Sequence, residues 1–345
     1  MPAAKTKVGD QRPIDVTLVQ CYALGVHKFP VGILGASGYV GRELCRLVLE
    51  HQSLELVFAS ASSQAGQKVR VARREITFTA TEDATLGDAD LIFSALPHGA
   101  SEDWVNRAAA SGAKVVDLSS DLRPGNHERE CVPYGLTELM RDEIASASIV
   151  ANPGCYPTAI LIALAPLMKR GLTVPGATIS ISAASGVTGA GFTPRPELLF
   201  AEVAEDFRAY AVGNEHRHLK EMRTVSKKLG GDNDLLFIPH LLPVARGILA
   251  TITVPVTELV DQPLEIWEDA YSGEPFIEVI PETPALRDVV RRNVVRVNAT
   301  YAKGMRQPTL IVTAAIDNLI KGAAGQAVQN ANIMLGLGET MGLPA

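Results

Sequence analysis

Short apolar runs broken by glycine- and proline-rich turns set the rhythm of this chain. Val31-Gly32-Ile33-Leu34, Leu54 to Ala59, Ala89 to Leu96 and Val115 to Ser119 each read as a strand. After the first strand, Leu44, Leu47 and Val48 share one face of a helix. Strands alternating with helices predict a parallel sheet. In the second half, Ala177 to Ile181, Leu235 to Ile238, Gly247 to Val254 and Leu310 to Ile316 are β-rich, which suggests a mixed or antiparallel sheet. Ala159 to Leu167 is apolar on every side, so it reads as a fully buried helix. Another helix is expected from Asn214 as N-cap. On it His218, Met222, Val225 and Leu229 would turn inward, and His216, Lys220, Arg223 and Lys227 would meet water. A last helix, Ala323 to Met334, is rich in small residues that permit close packing against the first sheet.

The expected fold is therefore α/β: a Rossmann-like parallel-sheet dinucleotide domain and a second, α+β domain. Residues 29–154 plus 318–345 would form the first, 155–317 the second, and 1–28 an extension of unknown role. Asp15 to Gln20 could form a strand there but carries no chemistry.

With 345 residues, 47% of them apolar, the chain can bury the cores of two domains. A net charge of −6 argues against a nucleic-acid footprint, so an anionic ligand must meet locally placed basic groups or backbone N–H groups. No apolar run reaches membrane-spanning length, and the first residues lack a secretory pattern, which leads to a cytoplasmic expectation. Cys21, Cys45, Cys131 and Cys155 are irregularly spaced, as free thiols in a reducing compartment would be. Histidines two apart on a helix point to opposite sides, so no metal is expected at His216 and His218.

Chemistry concentrates at a few turns. Gly35-Ala36-Ser37-Gly38-Tyr39-Val40-Gly41 lies between a strand and a helix, where glycines let the backbone approach a pyrophosphate. The second strand ends in Ser60-Ala61-Ser62-Ser63-Gln64, without the carboxylate that an NAD site uses for the ribose, and Lys68 and Arg70 follow. Hydroxyls alone would accommodate a 2′-phosphate, so NADP is favoured. Pro97, Arg123 and Cys155 all follow strands and should border one crevice. Cys155, in Asn152-Pro153-Gly154-Cys155-Tyr156-Pro157-Thr158, stands where an extended segment becomes a helix. The unpaired N–H groups there should lower a thiol that ordinarily titrates near about 8.5; the alternative is a small residue ahead of a core helix. Ser185 to Gly191 is glycine-dense, so its N–H groups could face a ligand. His218 is the histidine expected in a cleft, with Glu221 one turn on to orient it, unless the pair is merely a satisfied core contact. Arg208 and Arg246 are available for an anionic substrate or for ordinary ion pairs.

Together these segments resemble the N-acetyl-gamma-glutamyl-phosphate reductases, in the wider aspartate-semialdehyde dehydrogenase superfamily. The resemblance runs from about Val31 to the C-terminus. It rests on the glycine turn, Ala95 to Gly99, Asp117 to Arg123, Tyr134 to Leu136, Pro153 to Thr158, Ser185 to Gly191, Phe207 to Tyr210, His216 to His218 and Ala315 to Gly322. Two departures stand out: residues 1–28 have no counterpart, and Leu219-Lys220 replaces the family's usual Thr-Pro. The resemblance implies an NADPH-dependent acyl-phosphate reductase of arginine biosynthesis, homodimeric or homotetrameric. It implies Cys155 as nucleophile and His218 as acid/base. Arg123, Ser185, Arg208, Glu221 and Arg246 would serve the substrate. Gly35, Ser37, Gly38, Tyr39, Val40, Gly41, Ser60, Ser62, Pro97, Gly186, Gly189 and Asn318 would serve NADP(H). Two alternatives remain: the carrier-linked aminoadipyl-phosphate reductase of lysine biosynthesis, disfavoured by Tyr156-Pro157 after the cysteine, and a catalytically idle NADP-binding sensor.

Overall fold

The computed structural model describes residues 28–127 and 132–345. The expected strand at 15–20, Cys21 and Cys131 lie outside the described residues. In chain order the elements begin with β1 (Phe29–Leu34), α1 (Tyr39–Glu50), β2 (Leu54–Ala61), β3 (Lys68–Val71), β4 (Arg74–Thr77) and β5 (Thr79–Ala80). They continue with β6 (Leu91–Ser94), α2 (Glu102–Ala110), β7 (Lys114–Asp117), α3 (Thr137–Ser146), β8 (Ile149–Ala151) and α4 (Cys155–Lys169). The second half contains β9 (Thr178–Gly186), α5 (Phe200–Val203), β10 (Arg208–Ala209), α6 (His218–Lys228), β11 (Asp234–Leu242) and β12 (Ile248–Pro255). It closes with α7 (Glu265–Ala270), β13 (Ile277–Val279), β14 (Val295–Tyr301), β15 (Thr309–Ile316), a π-helical turn Ile320–Ala324 and α8 (Gly325–Met334).

The first six-stranded sheet runs β5-β2-β1-β6-β7-β8, with every pairing parallel. Its strands are short and apolar because helices cover both faces. From β1 the chain winds one way to β2, then returns to β6 on the other side. That reversal opens a crevice at the carboxyl ends of β1 and β6, the usual ligand position in such sheets. The second sheet, β10-β11-β9-β12-β15-β14-β13, is mixed: β9–β11 and β13–β14 are parallel and the other pairs antiparallel. The α/β expectation with two sheets of different character holds.

Helix α4 is buried from Tyr156 to Met168, packed between the mixed sheet and α6 and α7. Pro166 within it has no N–H, so the carbonyl of Ile162 loses its helical donor. The Tyr271 hydroxyl donates to that carbonyl at 2.7 Å, and Trp267 Nε1 donates to Ala163 O at 3.0 Å. The proline therefore costs little hydrogen bonding in a dry interior. At the other end of the chain, Ala327, Val328, Ala331 and Met334 of α8 share a core with Val31, Ile33 and Leu44 beside the parallel sheet.

One element begins later than expected. Helix α6 starts at His218, not after Asn214. Asn214 instead adopts a φ of 65°, donates to Leu235 O at 3.1 Å and accepts from Phe237 N at 2.8 Å. Its amide is consumed by β11, a competing local bond that the 3.6-residue pattern does not reveal.

Candidate active site

Cys155 is the first residue of α4, immediately after β8 and the Asn152-Pro153-Gly154 turn. Gly154 is the N-cap and supplies no side chain to the helix end, so the first turn's N–H groups have no side-chain cap. Gly154 N donates to Glu221 Oε1 at 2.9 Å. A methyl on Gly154 would lie 2.7 Å from His218 Nε2 and 3.0 Å from Arg123 Nη1, so imidazole and guanidinium both press on the residue preceding the thiol. On its other side Cys155 packs against the π-helical turn. A Cβ on Gly322 would lie 2.8 Å from that of Cys155.

The electrostatics correct the expected thiol. Burial raises the Cys155 pKa, and the charges of Arg217 and Arg123 and the Tyr156 N–H only partly oppose it. The resting sulfur is therefore a thiol. His218 is held well below the ordinary imidazole range by burial first, then by Arg123, His216, Arg217 and His98. A neutral imidazole beside a thiol is a proton acceptor in the right state.

Glu221 does not orient His218. It accepts from the Tyr134 hydroxyl at 2.7 Å and Gly154 N, and its Oε2 lies 3.5 Å from Arg123 Nη1. It is buried beneath the site as counter-ion and brace, and does not line the cavity. The Nδ1 of His218 has no hydrogen-bond partner among the described residues. His216 does not point out to solvent either and is half-buried. It packs edge-on against Tyr156, Tyr210, Phe237 and His218, accepts the His218 N–H at 3.1 Å, and is held at a pKa of about 4, chiefly by burial. Because α6 begins at His218, the two histidines never belonged to one helical repeat.

Arg123 is buried at the end of β7, with Nε donating to Asn152 O at 2.8 Å and Nη2 to Leu118 O at 2.7 Å. Two of its donors are thus spent on carbonyls, which fixes the charge in place. Arg217, overlooked in the sequence beside His218, also lines the cavity. The signal available for it was only its adjacency.

A single cavity of about 560 Å³ contains the wall residues. Gly35, Ser37, Gly38, Tyr39, Val40, Gly41, Ser62, Pro97, Arg123, Cys155, Gly189, His218 and Asn318 line it. His98, Asn152, Thr188, Phe192 and Arg217 join them without having been singled out. Six expected site residues do not reach its wall. Ser60 is buried within β2 with its hydroxyl toward Thr81, whereas Ser62 lies past the end of the strand and is exposed. Ser185 is buried and donates to Gly186 O at 3.1 Å. Gly186 packs on Ala245, where a Cβ would meet the carbonyl oxygen at 2.8 Å. Arg208 is paired with Asp206 and with the carbonyls of Glu197 and Glu202. Arg246 binds Glu43 of α1 and lies 3.7 Å from Asp317. Glu221 is the sixth.

The glycine turn is built for close approach. Gly35 has a φ of 76°, and a Cβ there would lie 2.5 Å from Ala95 O. A Cβ on Gly41 would lie 2.4 Å from Gly35 O. Gly38 caps α1 without a side chain, and no acidic residue occupies the first turn. The helix end thus presents bare N–H groups to an anion. Asn318 ties the opposite wall: Oδ1 accepts from Gly247 N at 2.7 Å, and Nδ2 donates to the Thr188 hydroxyl at 3.0 Å. Lys68, expected near a 2′-phosphate, is paired with Glu75 across the β3–β4 hairpin at 2.8 Å.

A dinucleotide crevice here meets a cysteine at a helix start, the arrangement of a nucleotide-dependent enzyme with a thiol at its reacting centre. Residues 30–147 match the semialdehyde dehydrogenase NAD binding domain and 155–318 the semialdehyde dehydrogenase dimerisation domain. Aspartate semialdehyde dehydrogenase II from Vibrio cholerae superposes with a TM-score of 0.74 at 21% identity, covering 90% of this chain and 99% of that one. Much nearer in sequence are the N-acetyl-gamma-glutamyl-phosphate reductases of Salinispora arenicola, 43% identical, and Geotalea daltonii, 41% identical, each covering 91% of this chain and 97% of its own. The chain belongs to the N-acetyl-gamma-glutamyl-phosphate reductase family.

Proposed function

We propose that the chain reduces N-acetyl-gamma-glutamyl phosphate to N-acetyl-L-glutamate 5-semialdehyde with NADPH, releasing phosphate, as a step of arginine biosynthesis. The observation that carries this reading is the sharing of one cavity by Cys155, His218, Arg123 and the glycine turn 35–41. The uncapped start of α1 and the close approach at Gly35 and Gly41 fit a dinucleotide pyrophosphate. Ser62, Ser63 and Gln64, with no carboxylate among them, fit a ribose 2′-phosphate.

His218, neutral at working pH, takes the Cys155 proton as the substrate carbonyl arrives. The sulfur forms its bond to the carbonyl carbon, and phosphate leaves with the electrons of the broken C–O bond. Arg123 and Arg217 supply positive charge both to the forming thiolate and to the departing phosphate. When bound, NADPH supplies the hydride that reduces the thioester. His218, now protonated, gives its proton to the oxygen that develops charge. It takes the proton back as the C–S bond breaks and the aldehyde leaves.

In this reading residues 29–154 and 318–345 form the cofactor domain and 155–317 the catalytic and oligomerisation domain. The active form is a homodimer or homotetramer in the cytoplasm. The dimerisation-domain match over 155–318 supports self-association, and no helix among the described residues is long and apolar enough to cross a membrane. The test is the reverse reaction: N-acetylglutamate semialdehyde, inorganic phosphate and NADP should yield NADPH at a rate that vanishes without phosphate. Phosphate-independent reduction, or none, overturns the reading.

A further inference from the structure

The loop after β6, Pro97-His98-Gly99-Ala100, borders the same cavity as Cys155 and is held rigidly from behind. Asp121 accepts from Gly99 N at 2.8 Å and from Ser101 N at 3.1 Å. The Ser101 hydroxyl donates to the buried Asp117 at 2.6 Å, and Ser119 donates to the same carboxylate at 2.7 Å. This scaffold fixes one imidazole. His98 Nδ1 lies 2.8 Å from Ser120 N. A backbone N–H can only donate, so Nδ1 must accept, and the neutral ring carries its proton on Nε2. Nε2 lies across the ring from Ser120 and bonds to no other described residue. The side chain is exposed and shares the cavity wall with Cys155, Arg123, Arg217 and His218.

Arg123 can present only part of its fork to a phosphate. Its Nε and Nη2 are committed to Asn152 O and Leu118 O, and Nη1 lies toward Glu221. It contributes fixed charge more than directed hydrogen bonds. An oxyanion held there needs donors from elsewhere on the wall.

We propose that His98 is a substrate-binding residue whose Nε2–H donates to the phosphoryl group of the acyl phosphate, completing an anion site with Arg123 and Arg217. This rests on the functional reading above and adds a residue to it. The ring is held neutral at working pH, with its pKa lowered to about 4 by partial loss of water and then by Arg217 and Arg123, while Asp121 opposes. Protonation would also set an N–H against the Ser120 N–H. The site thus gains a directed donor without a third cation, which would retain the phosphate once released.

The test uses the full chain in the reverse direction, with inorganic phosphate as the varied substrate. His98→Asn can still accept from Ser120 N through Oδ1, but its Nδ2 donor is too short to reach the position that Nε2 occupies. It should raise the KM for phosphate by about tenfold to a hundredfold, the worth of one hydrogen bond to an ion. The KM for the semialdehyde and the NADP dissociation constant should stay within about twofold. His98→Gln, whose amide can reach the Nε2 position, should recover part of the loss. Phosphate protection of Cys155 from iodoacetamide gives a second readout that needs no turnover: His98→Asn should require correspondingly more phosphate. An unchanged phosphate KM, or an equal loss in all three constants, overturns the proposal. Absence of phosphate-dependent activity in the unmodified protein would instead overturn the functional reading beneath it.

Discussion

Gly154 shows how little space the reacting groups leave to the backbone. A methyl there would collide with both His218 Nε2 and Arg123 Nη1. Gly154 φ is −70°, so alanine is free of backbone strain and the damage would come only from displacing those two side chains. We therefore expect Gly154→Ala to lower kcat by about a hundredfold or more, as misplacement near the reacting atoms does. NADP affinity and melting temperature should change little, as read by fluorescence titration and calorimetry. Cys155 and His218 were legible in the sequence because each sits at an unusual junction: a cysteine after Pro-Gly, and a histidine on an apolar stripe. Their neighbours were less so. Glu221 has helical spacing from His218 yet turns to Gly154 and Tyr134, since a carboxylate under a buried arginine is drawn to the nearest donors. Arg123 had its place just past a strand to mark it, whereas Arg208 and Arg246 could serve a substrate or an ordinary ion pair equally well. Their partners, Asp206 and Glu43, show that both are committed to ion pairs away from the cavity.

At the scale of elements, the π-helical turn Ile320–Ala324 bears directly on Cys155 through Gly322. One residue earlier, the fully buried Lys321 donates to Glu138 Oε1 at 2.5 Å and to Gln329 Oε1 at 2.8 Å. This pair ties the turn to α3. Replacing one partner of a buried pair strands the other charge, at a cost of about 3–5 kcal/mol, whereas replacing both with apolar residues of similar size is nearly neutral. Glu138→Gln should thus destabilise by about that amount in urea titrations. The double variant Lys321→Met/Glu138→Leu should be clearly more stable than Glu138→Gln; a less stable double variant would contradict this account. Strands and the buried helix α4 were readable because burial on all sides leaves an unbroken apolar run. The start of α6 was not, because Asn214 could serve equally as a helix cap or as a brace for β11. The π turn was equally hidden, since its extra residue leaves no trace in a pattern rich in glycine and alanine.

Across the whole molecule, several imidazoles are held neutral by loss of water: His51 and His218 are buried, His216 is half-buried, and His98 stands exposed on the cavity wall. His98 and His216 are lowered to about 4, and His51 and His218 are lowered from the ordinary value of 6.5, in each case chiefly by loss of water. Between pH 6.5 and 4 the unfolded chain therefore binds more protons than the folded one, so stability rises with pH there. The contribution is complete above the unfolded value and is lost as pH falls toward the folded ones. Asp117, raised by burial, works in the opposite direction. With four imidazoles against one carboxyl, the melting temperature should be level at about pH 7.5 and fall steadily as pH drops from about 6.5 to 5. Above about pH 8.5 the raised Cys45 and Cys155 thiols should lower it again. A melting temperature that holds or rises over that interval would contradict the burial described for these rings.

The covalent route through Cys155 is tested most directly without reductant. Full-length protein mixed with N-acetyl-gamma-glutamyl phosphate, in the absence of NADPH, should release phosphate in proportion to active sites. Intact-mass and peptide analysis should then find the acyl group on Cys155, and on no residue in Cys155→Ser. Phosphate release by Cys155→Ser equal to that of the unmodified protein, or a phosphate burst with the acyl group elsewhere, would contradict the account.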